Sequence, residues 1–412
     1  INGCLVGSEM CIRDRFIKND SSNLYVAFKA LGNKDYIRAG IRARDGINWL
    51  DDQVAIGIDT FGDGRYYVRF SANPLGSIGD NKVDNKDDFD GSYNVEFDAK
   101  ARITNFGYEV EFVIPFSSLN FPDTKNQELT LMLSRKLYNK GTESRYMNYA
   151  KIDGAGCIIC QSNEIYSVEN IVKKNKKRLI PSLTANSIRE RNQDGDMVEE
   201  PVDSEVSLGG EYEFNGNNFE FTFNPDFSQV EADQSKIDIN STTALRFDER
   251  RIFFNEGKDF LSSDLSTVYT RSINDPEYAL KLYNRGEKHS YYFLDAEDAT
   301  TPIIIPGYQR SYSGLLGKSH ANIFSYNYNI EKGQNIGFLA TNRDFEEGGN
   351  SALYSLKGNF LFNDIYRTQF ELVSTDMDEP ISDVINTSNT SKEHTYNLCL
   401  LYTSDAADEL LG

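Results

Sequence analysis

The sequence predicts an all-β fold, on three observations. Short segments that alternate apolar and polar residues recur from Leu24 to Ser374, and a period of two is the signature of a strand with one buried face. Turn-forming groups punctuate them, among them Gly62-Asp63-Gly64, Asn73-Pro74 and Asn105-Phe106-Gly107. No segment carries the apolar 3.6-residue repeat of a long helix. The 24 Tyr and 26 Phe, beside one Trp, suit strands, while the mean hydropathy stays negative at −0.52.

A chain of 412 residues has room for two domains. Its formal charge of −20 and pI near 4.7 argue against a nucleic-acid partner, whose phosphates call for a basic face. No apolar run approaches the roughly 18 residues of a spanning helix. That leaves the membrane open to strands, which show only alternation over about ten residues. The two ends read as foreign: CLVGSEMCIRDR (4–15) resembles a translated transposase-type sequencing adapter, and CLLYTSDAADE (399–409) resembles the reverse complement of its partner. The expected organisation is therefore adapter-like sequence at 1–15, one domain over 16–165, a second over 166–398, and adapter-like sequence at 399–412. On this reading the native polypeptide is longer and lacks Cys4, Cys11 and Cys399. What remains is the pair Cys157 and Cys160, whose single CxxC is a poor metal site and is read as two small buried residues or a disulfide.

From Phe16 to about Ile165 the expected strands are Leu24–Ala30, Tyr36–Arg42, Val54–Asp59, Arg65–Ala72, Tyr93–Ile103 and Tyr108–Ile114. Closely spaced short strands with polar turns favour an antiparallel sandwich. Within them, SSNLYVAFKA, RARDGINWLDDQVAIGIDTFGDGRYYVRFSANPLGSIGD and YEVEFVIPFSSLNF resemble the carbohydrate-binding family 9-like fold, related to DOMON domains. The resemblance implies a β-sandwich that holds a sugar and, in true members, a stabilising calcium. Family members grip the sugar between two Trp, where this segment supplies one. Trp49 with Arg44 and Asp45 is the candidate carbohydrate-binding cluster, against the reading of a lone Trp capping the core beside a loop ion pair. Asp59, Asp63 and Asp80 are the candidate calcium carboxylates, since calcium takes about six to eight oxygens. Hairpin turn chemistry explains Asp63-Gly64 equally well.

The connector 161–178 ends in the basic cluster Lys173, Lys174, Lys176, Lys177 and Arg178, either a solvated linker or a contact for anionic headgroups. Beyond it the strands lengthen: Leu179–Arg189, Ser204–Phe214, Asn218–Asn224, Tyr278–Asn284, His289–Leu294, Ala321–Ile330, Asn335–Asn342, Ser351–Phe362 and Tyr366–Ser374. Phe324, Tyr326, Tyr328 and Ile330 fall on one face, with Ser325, Asn327 and Asn329 on the other. Tyr366, Phe370 and Leu372 likewise oppose Arg367, Gln369 and Glu371. An outer-membrane barrel needs one apolar and one polar face, although a sheet on a soluble core alternates too. Strand length and consecutive hairpins favour the barrel. LGGEYEFNGNNFEFTFNPDFSQVEAD, RFDERRIFFNEGKDFL and YALKLYNRGEKHSYYFLDA resemble the uncharacterised outer-membrane barrel region that follows a family 9-like domain in Gram-negative bacteria. The resemblance implies the N-terminal part of a transmembrane antiparallel β-barrel, with the sandwich on the periplasmic side and outer-membrane lipid as a partner.

One stretch, 223–261, fits no strand. Asn224-Pro225 breaks the ladder, since proline has no N–H. Asp226 with Gln229, and Ser241, are placed to cap short turns, with Gly257 closing the second. Its charges suit a plug-like segment folded into a polar interior: Asp226, Glu231, Asp233, Glu249 and Glu256 against Arg246, Arg250 and Arg251. Its role is a gate or a plain internal brace.

No HExxH, GxSxG, P-loop or dinucleotide fingerprint is present, so no catalytic residue is assigned. Glu249 with Glu256 as a glycosidase pair is weak in so acidic a chain. The expected function is non-enzymatic: an outer-membrane barrel with a carbohydrate-binding-like periplasmic domain, in glycan binding and uptake or envelope transport. The alternative is the binding component of a carbohydrate-degrading protein associated with O-glycosyl hydrolysis. A DOMON-like haem role lacks axial ligands, because Phe16–Ser134 holds no His and only Met132. No cofactor other than calcium is expected.

Overall fold

The alternating segments of the first half pair into two sheets packed face to face. The computed structural model describes residues 12–47, 50–84, 89–91, 93–122, 126–139, 142–148, 158–169, 171, 177–186, 189–191, 197–199, 203–225, 249, 251–305, 312–330, 334–362, 366–378 and 390–402. The first strands are β1 (Ile12–Asn19), β2 (Asn23–Leu31), β3 (Gln53–Asp59), β4 (Tyr66–Ala72), β5 (Ile78–Asp84) and β6 (Phe89–Asp90). β7 (Asp98–Thr104), β8 (Gly107–Pro115), β9 (Asn126–Asn139), β10 (Thr142–Met147) and β11 (Ile165–Glu169) complete the domain. One sheet runs β1-β2-β8-β7; the other runs β10-β9-β3-β4-β5-β6, with β11 also on β9. Leu24, Val26 and Phe28 of β2 and Val110, Phe112 and Ile114 of β8 meet Val54, Ile56 and Ile58 of β3, Phe70 of β4 and Leu131 of β9 in one core. Each such side chain removed from water contributes about 1.5–3 kcal/mol. A second, smaller cluster, Tyr67, Val83, Met132, Ile158 and Ile159, covers the other face of the larger sheet. Every residue of β3 is therefore buried. Gly57 allows the close approach, because a Cβ there would lie 2.7 Å from the Tyr67 ring.

Two expected strands differ. Tyr36–Arg42 begins on the last residue of a 3-10 turn, Lys34–Tyr36, and then runs without a ladder. Its backbone bonds to the next loop instead: Asn73 Nδ2 donates to Gly40 O and Arg42 N to Ser77 Oγ. Tyr93–Ile103 is a strand only from Asp98, since Val95 N donates to Asp80 Oδ2 and Val95 O accepts from Arg44. β11 pairs with β9, so the sandwich extends to Glu169. β1 begins and the final strand ends inside the adapter-like stretches, as backbone pairing does not require particular side chains.

The second half forms one antiparallel sheet from β12 (Lys177–Asn186), β15 (Asp203–Phe214), β16 (Asn217–Phe223), β17 (Pro276–Arg285), β18 (His289–Asp298), β21 (Ser319–Asn329), β22 (Asn335–Phe345), β23 (Asn350–Phe362), β24 (Tyr366–Asp378) and β25 (Thr390–Tyr402), in that order. Two small hairpins, β13–β14 (Arg189–Arg191, Met197–Glu199) and β19–β20 (Thr301–Ile305, Tyr312–Leu316), extend from one end. Among the described residues the fold is all-β apart from a four-residue helix α1 (Ile252–Asn255) and 3-10 turns. No helix among the described residues is long and apolar enough to cross a membrane.

The sheet is curled. From β12 to β24 lie eight inter-strand steps, roughly 38 Å across a flat sheet at about 4.8 Å each. Yet Arg178 and Ile180 of β12 line the same cleft as Gln369 and Glu371 of β24. The stretch between β16 and β17 lies in the concavity over its described part, residues 251–275. It leaves and returns at one end of the sheet, where Phe223 pairs with Tyr278, but Asp259 in its middle reaches Arg285 at the other end.

Candidate functional site

The two faces of the curled sheet have opposite chemistry. Outward positions are large and exposed: Leu183, Val206, Phe214, Phe219, Phe223, Phe293, Phe324, Phe338, Tyr354, Leu356, Leu372 and Leu398. Inward positions are buried and carry the sheet's buried polar and charged side chains, including Glu213, Asn218, Glu220, Lys281, Ser290, Ser325, Ser355, Asn359 and Glu371, around an apolar patch that includes Tyr283, Tyr292 and Leu294. In a sheet packed on an apolar core this arrangement is inverted.

The re-entrant segment is held to the inner face by apolar and polar contacts together. Phe254, Phe260, Leu261 and Ile273 pack against Ala279, Tyr283, Tyr292, Leu294 and Ile323 of the strands. Gly257 has φ +83°, a conformation that costs little only for glycine, and it turns the chain from α1 into the 3-10 turn Lys258–Leu261. Around this patch, charges and amides fix the backbone. Lys281, with no exposed surface, donates to Glu256 O at 2.9 Å and pairs with Glu220 Oε2 at 2.8 Å. Ser325 Oγ donates to Phe260 O, and Leu265 N to Glu371 Oε2. Arg343 joins Asp298 at 2.6 Å while donating to Ser272 O.

Of the predicted plug residues, Asp226, Glu231, Asp233, Arg246 and Arg250 lie outside the described residues. Arg251 is buried against Glu249, with Nε to Oε1 at 2.9 Å and Nη2 to Oε2 at 2.8 Å. It also donates to Ile273 O and Thr270 O, and its guanidinium lies 4.2 Å from the Phe254 ring. Burial works to raise the Glu249 carboxyl, but the hydrogen bonds and charge of Arg251 keep it below the ordinary range. Tyr283 Oη donates to Glu256 Oε1 at 3.1 Å. Glu249 and Glu256 are both engaged structurally.

In the sandwich, Arg44 and Asp45 come together with Asp80, and Trp49 lies outside the described residues. Arg44 Nη2 pairs with Asp80 Oδ1 at 2.6 Å and its guanidinium lies 5.0 Å from Phe97. Asp45 holds φ +62° and accepts from Asp80 N at 2.9 Å. Burial raises the Asp80 carboxyl to about 6 against the opposing Val95 N–H and Arg44. Asp59 accepts the backbone N–H groups of Phe61, Gly62 and Gly64, closing the hairpin, and burial with the neighbouring Asp63 charge raises it to about 6. Asp63 pairs with Arg65. With their oxygens given to backbone and arginine donors, Asp59, Asp63 and Asp80 do not fit a shared calcium, and no metal-holding group occurs among the described residues. Cys160 is disulfide-bonded, and Cys157 lies outside the described residues.

Where the sandwich meets the sheet, Lys82 of β5 and Arg285 of β17 converge on Asp259. Burial and the Arg285 charge pull the Lys82 ammonium down to about 8, outweighing Asp259. Asp259 itself stays far below the carboxylate range: burial opposes its charge, but Arg285 first and Lys82 second outweigh it. Arg65 adds bonds to Ser290 Oγ at 2.8 Å and Gly286 O at 3.3 Å. A cleft of about 1650 Å³ opens beside this junction, lined by Arg44 and Asp45 from the sandwich, Glu211 and Gln369 from the sheet, and Asp264 from the segment. The sequence reading missed Lys82, Glu220, Lys281, Arg285 and Arg343, and placed Glu371 on the polar face without assigning it a partner. The available signal was a charge at period two inside an apolar strand, as in Lys281 between Leu280 and Leu282. Compared with protein-family models and with curated proteins, the chain matches none.

Proposed function

We propose that this is an outer-membrane β-barrel protein of a Gram-negative bacterium. On this reading the sandwich is a carbohydrate-binding-like domain at the periplasmic mouth, and the whole serves glycan binding and uptake or envelope transport without catalysis of its own. The observation that carries the reading is the inverted sheet. Exposed aromatic and aliphatic side chains face outward on strands from β12 to β25, whereas soluble monomers rarely expose a contiguous apolar patch larger than a few hundred Å². Buried polar and charged side chains face inward toward the re-entrant segment and the cleft. In a bilayer the outward apolar face is satisfied, and inter-strand pairing bonds the backbone of every strand that lies between the edge strands β12 and β25, as that medium requires.

The ends of the strands support an orientation. Asn215-Gly216 and 286–288 make tight turns at the end that holds the sandwich. The opposite end carries the re-entrant segment and the hairpins β13–β14 and β19–β20. Barrels of this class keep short turns in the periplasm and long loops outside. Fractionation of the intact protein and its migration with and without boiling test the reading. The expected result is recovery in the outer membrane and faster migration before heating. A soluble protein whose mobility ignores heating overturns it. Calorimetric titration with xylan and cellulose oligomers tests the sugar arm, where heat that disappears in Trp49→Ala supports it and no heat removes it.

A further inference from the structure

Three elements, the sandwich, the sheet and the re-entrant segment, meet at one carboxylate. Asp259 sits on the turn Lys258–Leu261 of the re-entrant segment. Its Oδ1 takes Lys82 Nζ of the sandwich at 2.5 Å and Arg285 Nη2 of the sheet at 2.6 Å, and its Oδ2 takes Arg285 Nη1. The side chains of Lys82 and Arg285 are 7% and 6% exposed. Rings from both domains enclose the two cations: Lys82 Nζ lies 4.1 Å from Tyr66, and the Arg285 guanidinium lies 4.4 Å from Phe260 and 5.3 Å from Tyr66.

The charges make this contact conditional. Lys82 and Arg285 are two buried cations from different domains, and Asp259 is the anion that joins them. With the turn seated, the triad carries one net positive charge among electron-rich ring faces. With the turn withdrawn, two like charges would face each other in a dry junction, which costs several kcal/mol. The sandwich can therefore dock closely on the mouth of the sheet only while the turn is in place. Conversely, Arg285 alone holds the turn less firmly than Arg285 and Lys82 together.

We propose that Asp259 is a latch through which the sandwich and the re-entrant segment hold one another in place, so that displacing either releases the other. This rests on the barrel reading for its consequence, which is opening of the interior when the sandwich is drawn away. The latch itself is a statement about two contacts and is tested without a membrane.

The test is hydrogen exchange, read by mass spectrometry on the intact protein in detergent, with variants made on one side and read on the other. Lys82→Met changes only the sandwich, and the expected result is faster exchange in the segment around 258–262, by about thirtyfold or more. Asp259→Asn changes only the segment, and faster exchange is expected at the docking turns around 62–66 and 286–290. The double variant Lys82→Met with Asp259→Asn removes one cation with the anion, and is expected to recover part of the docking-turn protection that Asp259→Asn alone loses. If Lys82→Met fails to fold, Arg65→Ala loosens docking through Ser290 and Gly286 without touching the triad, and must still raise exchange around 258–262. Effects confined to the mutated element overturn the latch. A protein that shows the cross-effects but no heat-dependent mobility keeps the latch and loses the barrel reading.

Discussion

Arg251 illustrates how this chain accommodates charge in a dry interior. It meets Glu249 through two side-chain bonds, two carbonyls accept from it as well, and the Phe254 ring covers its face. A buried ion pair is tolerable when its remaining donors and lone pairs are matched, and Thr270 Oγ1 supplies Glu249 with another partner at 2.7 Å. The sandwich carboxylates are less well compensated. Asp80 and Asp59 are both raised to about 6 by burial, from an ordinary 3.8. Between those values the folded chain keeps protons that the unfolded chain has released. Stability therefore falls as pH rises through that window and is regained on acidification from about 6 toward 4. Melting temperatures of the wild type and Asp80→Asn at pH 7 and pH 5 check this: the wild type should gain more on moving to pH 5 than the variant. An equal gain in both would remove Asp80 from the account. The same residue shows the limit of sequence reading. Arg44 and Asp45 were legible as a pair because they are adjacent, whereas their joint engagement of Asp80 depends on a loop contact across the fold.

At the scale of strands, legibility followed burial. β21, β23 and β24 present two faces of different chemistry, so their sequences alternate and their faces could be assigned residue by residue. β9 was not anticipated, although it is the longest strand of the sandwich. It lies between β3 and its other partners with both faces covered, and Leu129, Met132 and Leu133 are buried whichever way they point. A strand buried on both sides loses its period. Tyr36–Arg42 erred in the other direction, since its pattern is strand-like but its backbone donors and acceptors go to Asn73 and Ser77. The outward face of the curled sheet gives a direct prediction. Leu356 is 40% exposed on β23, paired with Phe338 of β22 and Leu372 of β24. On a sheet facing water, Leu356→Arg would change stability little. On one facing lipid near the midplane, it should cost about 2–4 kcal/mol. Refolding into lipid vesicles under a urea series measures the difference, and a shift within error of zero argues against lipid contact there.

For the whole molecule, the second half could be recognised as a sheet from its own pattern, but its junction with the sandwich could not. Lys82, Asp259 and Arg285 lie in three different elements, and only the way the sheet curls around the re-entrant segment brings them to one point. That junction also fixes which end of the sheet the sandwich occupies. Gly286 and Ser290, which bind Arg65, belong to the β17–β18 turn. Asn215-Gly216 lies at the same end, because Asn217 pairs with Asn284. The β22–β23 turn lies at the other end, since Asp344 pairs with Asn350 and Arg343 reaches Ser272 where the segment leaves the interior. Gly348 in that turn faces open space, so an inserted epitope should not disturb folding. In intact cells an epitope at Gly348 is expected to bind antibody without permeabilisation, and one at Gly216 only after it. The opposite pattern would put the sandwich outside the cell. Equal labelling of both sites in intact cells would mean that the sheet does not separate two compartments, and the membrane reading would fall with it.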